Sequence, residues 1–116
     1  MDTKTLQSIA ETLWQDYCEI FPALVKFDCP KIVLNNRFTV TAGCNHSDDN
    51  IVHLGAKFFK KFSRNMIDVI LPHELAHQID HDLNAPKLGS RHHGKIWQEI
   101  MVKIGQNPAA YHTMEI

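Results

Sequence analysis

A chain of 116 residues with 44% apolar content can bury about two-thirds of the surface its unfolded form exposes, enough for one core without cross-links. Its formal net charge of −1, from 12 Lys and Arg against 13 Asp and Glu, argues against any general attraction to phosphate or to an anionic membrane. Cys18, Cys29 and Cys44 are odd in number with no Cys-x-x-Cys pair, so neither a disulfide framework nor a zinc ribbon is expected. Nothing at the N-terminus resembles a cleavable signal, and no apolar run approaches the roughly 18 residues a membrane span needs. One domain over residues 1–116, in the cytoplasm, is the expectation.

The predicted organisation is helix, then strands, then helices, an α+β arrangement. Leu6, Ile9, Ala10, Leu13, Trp14, Tyr17, Ile20 and Phe21 recur at helical spacing, with Thr3 or Thr5 as cap and Pro22 as stop. Trp14 and its apolar neighbours belong to the core on this pattern. From Lys31 to Leu54 the signal turns to β: Ile32-Val33-Leu34, Arg37-Phe38-Thr39-Val40-Thr41 and Ile51-Val52-His53-Leu54, interrupted by Asn35-Asn36 and by Asn45 through Asn50. Asn35-Asn36 suits a tight hairpin, and a three-stranded antiparallel sheet follows. His46 and His53 read as surface or half-buried residues of that sheet.

Helical periodicity then returns. Met66, Ile67, Val69, Ile70 and Leu71 lead into His73-Glu74-Leu75-Ala76-His77, with Leu75, Ala76 and Ile79 extending the apolar face. Pro72 removes one backbone donor and should kink the helix or open a fresh first turn. Histidines four apart lie one above the other on a helix, so His73 and His77 can reach one metal ion with Glu74 beside it, a zinc site with a built-in base. Catalytic zinc takes three protein ligands and keeps one position open. His81 lies about 12 Å along the helix from His73 and is too far. His92 and His93 remain, in a glycine-bounded loop before a helix of Ile96, Trp97, Ile100, Met101 and Ile104 that Gly105 stops. His93 is preferred because it opens that helix and Trp97 would pack it against the core. His92 is its competitor.

His-Glu-x-x-His followed by His-Gly-x-x-Trp and a Met-containing apolar helix resembles the SprT-like metalloproteases, whose member Spartan cleaves proteins crosslinked to DNA. The resemblance runs from about Ile32 to Thr113 and takes in Thr41-Ala42-Gly43 and His112. It implies a compact zincin-like fold with the metal helix against the sheet. It implies one zinc ion on His73, His77 and His93, Glu74 as catalytic base, and His112 as a contact to the substrate or the transition state. The implied partner is a protein or peptide, which could add in extended form to an exposed sheet edge. Many members carry a cysteine-rich zinc ribbon or long tails, and neither stands in these 116 residues. Two other readings use the same residues: a non-proteolytic zinc-containing module that binds protein or DNA, and a metal-dependent hydrolase of a non-peptide bond. The base beside the metal weighs against the first.

Single-stranded DNA enters as a partner through that resemblance and one local pattern. Lys57, Lys60, Lys61 and Arg64 follow i, i+3, i+4, i+7 spacing and would align on one helix face, with Phe58, Phe59 and Phe62 elsewhere. A solvated face of an amphipathic segment is the plainer account of the same pattern. The sequence does not fix the oligomeric state.

Overall fold

A computed structural model describes residues 2–84 and 94–108. Helix α1 spans Thr3–Ile20. Its cap is Asp2 rather than Thr3 or Thr5, and the Asp2 carboxylate accepts from the Thr5 amide at 2.8 Å. Leu6, Ala10, Trp14 and Tyr17 form its buried stripe. Pro22 ends the helix as expected and opens a 3-10 turn over Pro22–Lys26. Trp14 lies in the core and donates its indole N–H to the Phe27 carbonyl at 3.1 Å.

The sheet has three strands, β1 (Lys31–Asn35), β2 (Gly43–His46) and β3 (Ile51–Gly55), in the order β1-β3-β2. It is mixed, which corrects the fully antiparallel expectation: β2 runs antiparallel to β3, but β1 runs parallel to it. The chain reverses once between β1 and β2 and again between β2 and β3, so β1 and β3 point the same way. The second reversal is the true hairpin, a 3-10 turn at Ser47–Asp49 closed by Asn50 in the left-handed region at φ 56°. Asn35 does make a turn, its side-chain oxygen accepting from the Arg37 amide at 2.8 Å, but no hairpin follows it.

The predicted strand at Arg37–Thr41 is likewise replaced by β2. No strand forms over residues 37–41: β1 pairs with β3 in parallel instead of turning back on itself at Asn35-Asn36, and Val40 is 90% exposed, so it gains no burial from a strand there. Ile32, Val52 and Leu54 are fully buried. Gln7 of α1 ties the start of β1 down, donating to the Pro30 carbonyl at 3.0 Å and accepting from the Ile32 amide at 2.8 Å.

After β3 come α2 (Ala56–Asn65), one π-helical turn (Met66–Ile70) and α3 (Leu71–Asn84). The Leu71 amide bonds back to the Met66 carbonyl, five residues earlier, so the ladder widens just before Pro72. Pro72 then sits in the first turn of α3, where its missing donor costs little. Helix α4 (Lys95–Lys103) buries Trp97, Ile100 and Met101. Gly105, at φ +83°, donates to Val102, and Gln106 donates to Met101, a paired bond pattern that stops the helix where the sequence put its end. Among the described residues no helix is long and apolar enough to cross a membrane.

Candidate metal centre

Helix α3 buries nine consecutive residues, Leu71 to Ile79, with His73, Glu74, His77 and Gln78 among them. A helix buried on every side at its start must satisfy its polar side chains internally or offer them to a ligand. The His73 and His77 rings lie 5.0 Å apart between centroids, as four-residue spacing requires. One donor atom from each of His73, Glu74 and His77 lies within 4.8 Å of the others. The His73 Nε2 to Glu74 Oε2 distance is 3.9 Å. Two imidazoles and a carboxylate on adjoining positions are a donor set suited to a zinc-like ion, and their spacing lets one ion reach all three.

Burial pushes the Glu74 carboxyl up to about 8, so without a cation the group holds its proton at neutral pH. A bound cation would favour the ionised form and return it to the state a base needs.

Two elements from elsewhere in the chain wall this group in. Trp97 of α4 is fully buried, its ring stacked on His77 at 4.9 Å and 15° and set edgewise to His73 at 4.8 Å and 64°. The sequence assigned Trp97 a packing role, and the structure adds that what it packs on is both histidines. On the other side β2 passes directly over Glu74. A Cβ at Gly43 would sit 2.9 Å from Ile70 Cγ2 and 3.1 Å from Glu74 Cγ, so only glycine allows this approach.

Residues that pattern reading left aside join the site from β2. Asn45 is buried and donates to the Gln78 side-chain oxygen at 2.9 Å, linking the strand to α3. An asparagine inside what reads as a turn gave no warning of this. Gln78, directly after His77 on a buried helix, was the available signal.

The remaining predicted residues fall in different places. His92, His93 and His112 lie outside the described residues. Lys57, Lys60, Lys61 and Arg64 are all exposed on α2, whose inner face buries Phe58 and half-buries Phe59 and Phe62. His81 is not part of that cluster and lies 3.7 Å from Asp48. His46 is exposed and His53 half-buried, as expected, with their rings 4.6 Å apart. Burial, then His46, holds the His53 imidazole below its ordinary pKa. The Cys44 thiol is pushed up by burial first and by the nearby Glu74 second, away from a reactive thiolate.

The SprT-like family model matches this chain over residues 6–115. A curated relative named Protein SprT, from Vibrio atlanticus (strain LGP32), is 32% identical over 92 residues, which are 78% of this chain and 53% of the relative. The chain therefore spans about half the length of that relative. No solved structure matches.

Proposed function

This chain belongs to the SprT-like family, and from that premise we propose that it is a zinc-dependent endopeptidase. The observation that carries this reading is the buried trio His73, Glu74 and His77, whose donor atoms gather within 4.8 Å inside one helix. His73 and His77 would hold the ion, with His93 as the third ligand by the family pattern. When bound, zinc supplies Lewis acidity, which lowers the pKa of water from about 15.7 toward 7 and polarises a carbonyl.

The chain's own residues do the rest. Glu74 takes a proton from the attacking water at its carboxylate and passes it to the departing amine. Its burial keeps competing solvent away from that transfer. Trp97 holds both imidazoles in place, His77 by stacking and His73 edge to face, the task an outer shell performs at a metal site. The sheet supplies the substrate track. Among the described residues β2 is an edge strand with β3 on one side only, and it is the strand that abuts Glu74. An extended peptide would add to its open edge through main-chain hydrogen bonds, which read no side chains and so give broad specificity. His112 would bear on the same carbonyl, as the family pattern suggests. The four exposed cations of α2 make single-stranded DNA, or a protein bound to it, the natural partner class to test.

The test is incubation of the zinc-loaded protein with a DNA-binding protein substrate, with and without single-stranded DNA, beside the Glu74→Gln variant. Cleavage by the parent and retained zinc without cleavage in the variant are expected, a loss of about 10² to 10⁴ in rate for a missing general base. Zinc loss in Glu74→Gln would overturn the ligand assignment. His93→Ala should weaken zinc binding far more than His92→Ala, and the opposite order would exchange their roles. Cleavage only when DNA is present would assign the DNA-bound substrate class. No cleavage under any condition would leave a zinc-containing binding module.

A further inference from the structure

Strand β2 touches the metal helix at two points, and their spacing is informative. Gly43 lies on Glu74, and Asn45 is hydrogen-bonded to Gln78. Two residues of strand advance about 6.8 Å and four residues of helix about 6.0 Å. Strand and helix therefore run alongside each other in the same direction and nearly in step, with one contact at each end of one helical turn.

The two contacts differ in kind. At Gly43 the backbone simply rests against Glu74 Cγ and Ile70, a steric stop that fixes how close the strand comes but leaves it free to slide. At Asn45 the link is directional and complete. The Asn45 amide nitrogen donates to Gln78 Oε1 at 2.9 Å and to the Ile51 carbonyl at 3.4 Å. Its oxygen accepts from the Ser47 hydroxyl. The Gln78 amide nitrogen donates to Asp82 at 2.8 Å and to the Ser47 carbonyl at 3.3 Å. Both amide nitrogens spend both protons, with Asn45 only 8% and Gln78 only 1% exposed. With both amides donating twice, the arrangement has one good geometry, and sliding the strand by an ångström would strand buried donors.

We propose that the Asn45–Gln78 amide pair is a positioning device that sets where the β2 edge lies along the metal helix. It thereby sets where the carbonyl of a peptide paired with that edge meets His73, Glu74 and His77. Asn45 and Gln78 are positioning residues that act through the strand. The inference rests on the endopeptidase reading for its catalytic consequence, though not for its structural one.

The decisive variant is Asn45→Leu/Gln78→Met, which replaces both amides with apolar groups of similar size and so avoids leaving either one buried alone. It is expected to fold and to bind zinc like the parent, while amide hydrogen exchange across Gly43–His46 accelerates more than about 10-fold and that across Lys31–Asn35 does not change. With zinc and an unstructured peptide, kcat should fall about 10²-fold, the usual result of misplacing a reacting group by about an ångström, with KM moved much less. Should the double variant fold poorly, Asn45→Ser, too short to reach Gln78, is expected to show the same pattern more weakly. Parent-like kcat in a folded variant overturns the proposal, whether or not exchange has risen. Lower kcat with unchanged exchange in β2 overturns it too, since the loss would then not pass through the strand. A parent that cleaves no peptide overturns the endopeptidase reading instead, and the exchange measurement still decides whether the amide pair holds the strand.

Discussion

Helices α2 and α3 are joined by a single π-helical turn, yet they treat charge in opposite ways. α2 turns Lys57, Lys60, Lys61 and Arg64 to solvent and keeps only Phe58 fully inside. α3 draws His73, Glu74, His77 and Gln78 into the interior along with the apolar residues between them. On α2 the side chains behave much as they would on an isolated helix, because water screens them. On α3 the surroundings set the chemistry: a carboxylate of ordinary type is pushed up to about 8, and two imidazoles share a wall of tryptophan. Substitutions that remove what surrounds α3 should therefore cost far more than any that discharge α2.

The largest effect is expected at Trp97. Trp97→Ala removes a fully buried ring and the support of both imidazoles, and should cost about 3–5 kcal/mol of stability by denaturant unfolding. In the fraction that remains folded, zinc affinity should fall roughly 10- to 100-fold by competition with a chelator, as for loss of an outer-shell contact. A variant that kept parent zinc affinity would mean that α3 alone orders its histidines.

Gly43→Ala comes next. The added methyl would lie 2.9 Å from Ile70 Cγ2 and 3.1 Å from Glu74 Cγ, so strand or carboxylate must move, at about 1–3 kcal/mol. Activity should suffer beyond that destabilisation, because the displaced atoms include the proposed base. A stable and fully active Gly43→Ala protein would show that the strand can stand away from α3, and would also weaken the case for a register between the two.

What sequence could reveal divides along the same line. The histidine pair was legible because i, i+4 spacing is local and the backbone alone puts the rings together. The stop at Gly105 and the exposure of the α2 cations were legible for the same reason, but the break in helical geometry at Phe62, between Lys61 and Arg64, was not. Strand pairing was not. Phe38 and Val40 alternate as a strand should, but which strand β1 takes as its partner is decided at a distance, and it pairs in parallel with β3 rather than with the segment that follows it. Gly43-Cys44-Asn45-His46 has poor β character, and its strand geometry comes from the Asn50 hairpin on one side and the Gln78 amide on the other. At the first helix, too, Asp2 captured the capping role that periodicity alone gave to a threonine.

A third prediction tests whether burial is what sets the Glu74 pKa. In the metal-free protein the folded value, about 8, lies above the ordinary value of 4.5, so the folded state holds the proton more tightly. The stabilisation is complete below about 4.5 and is lost as pH rises toward 8, with a slope on the order of 1.4 kcal/mol per pH unit in that window. Asp82, also raised by burial, acts in the same direction, while His53, whose value is lowered, loses stability as pH falls below 6.5. The measurement is thus the difference between parent and Glu74→Gln across pH 4.5 to 8. Saturating zinc should abolish that difference, because a cation beside the carboxylate favours its ionised form. A flat difference in the metal-free protein would mean water reaches Glu74, and the contrast between α2 and α3 would shrink to one of shape.

The smallest effect on stability is expected on α2. Exchanging Lys57, Lys60, Lys61 and Arg64 for glutamine should change stability by no more than about 0.5 kcal/mol per site, since the groups are exposed and the ion pair of Arg64 with Asp68, at 3.8 Å, is open to solvent. The same substitutions should nonetheless lower affinity for single-stranded DNA and reduce the slope of log K against log salt by about 0.7 for each phosphate contact removed. That pairing of a silent fold with a loud salt response is what separates a binding face from a merely solvated one. Unchanged DNA affinity would leave the cations as solubilising charge. A large loss of stability would mean that α2 depends on its surroundings as heavily as α3 does.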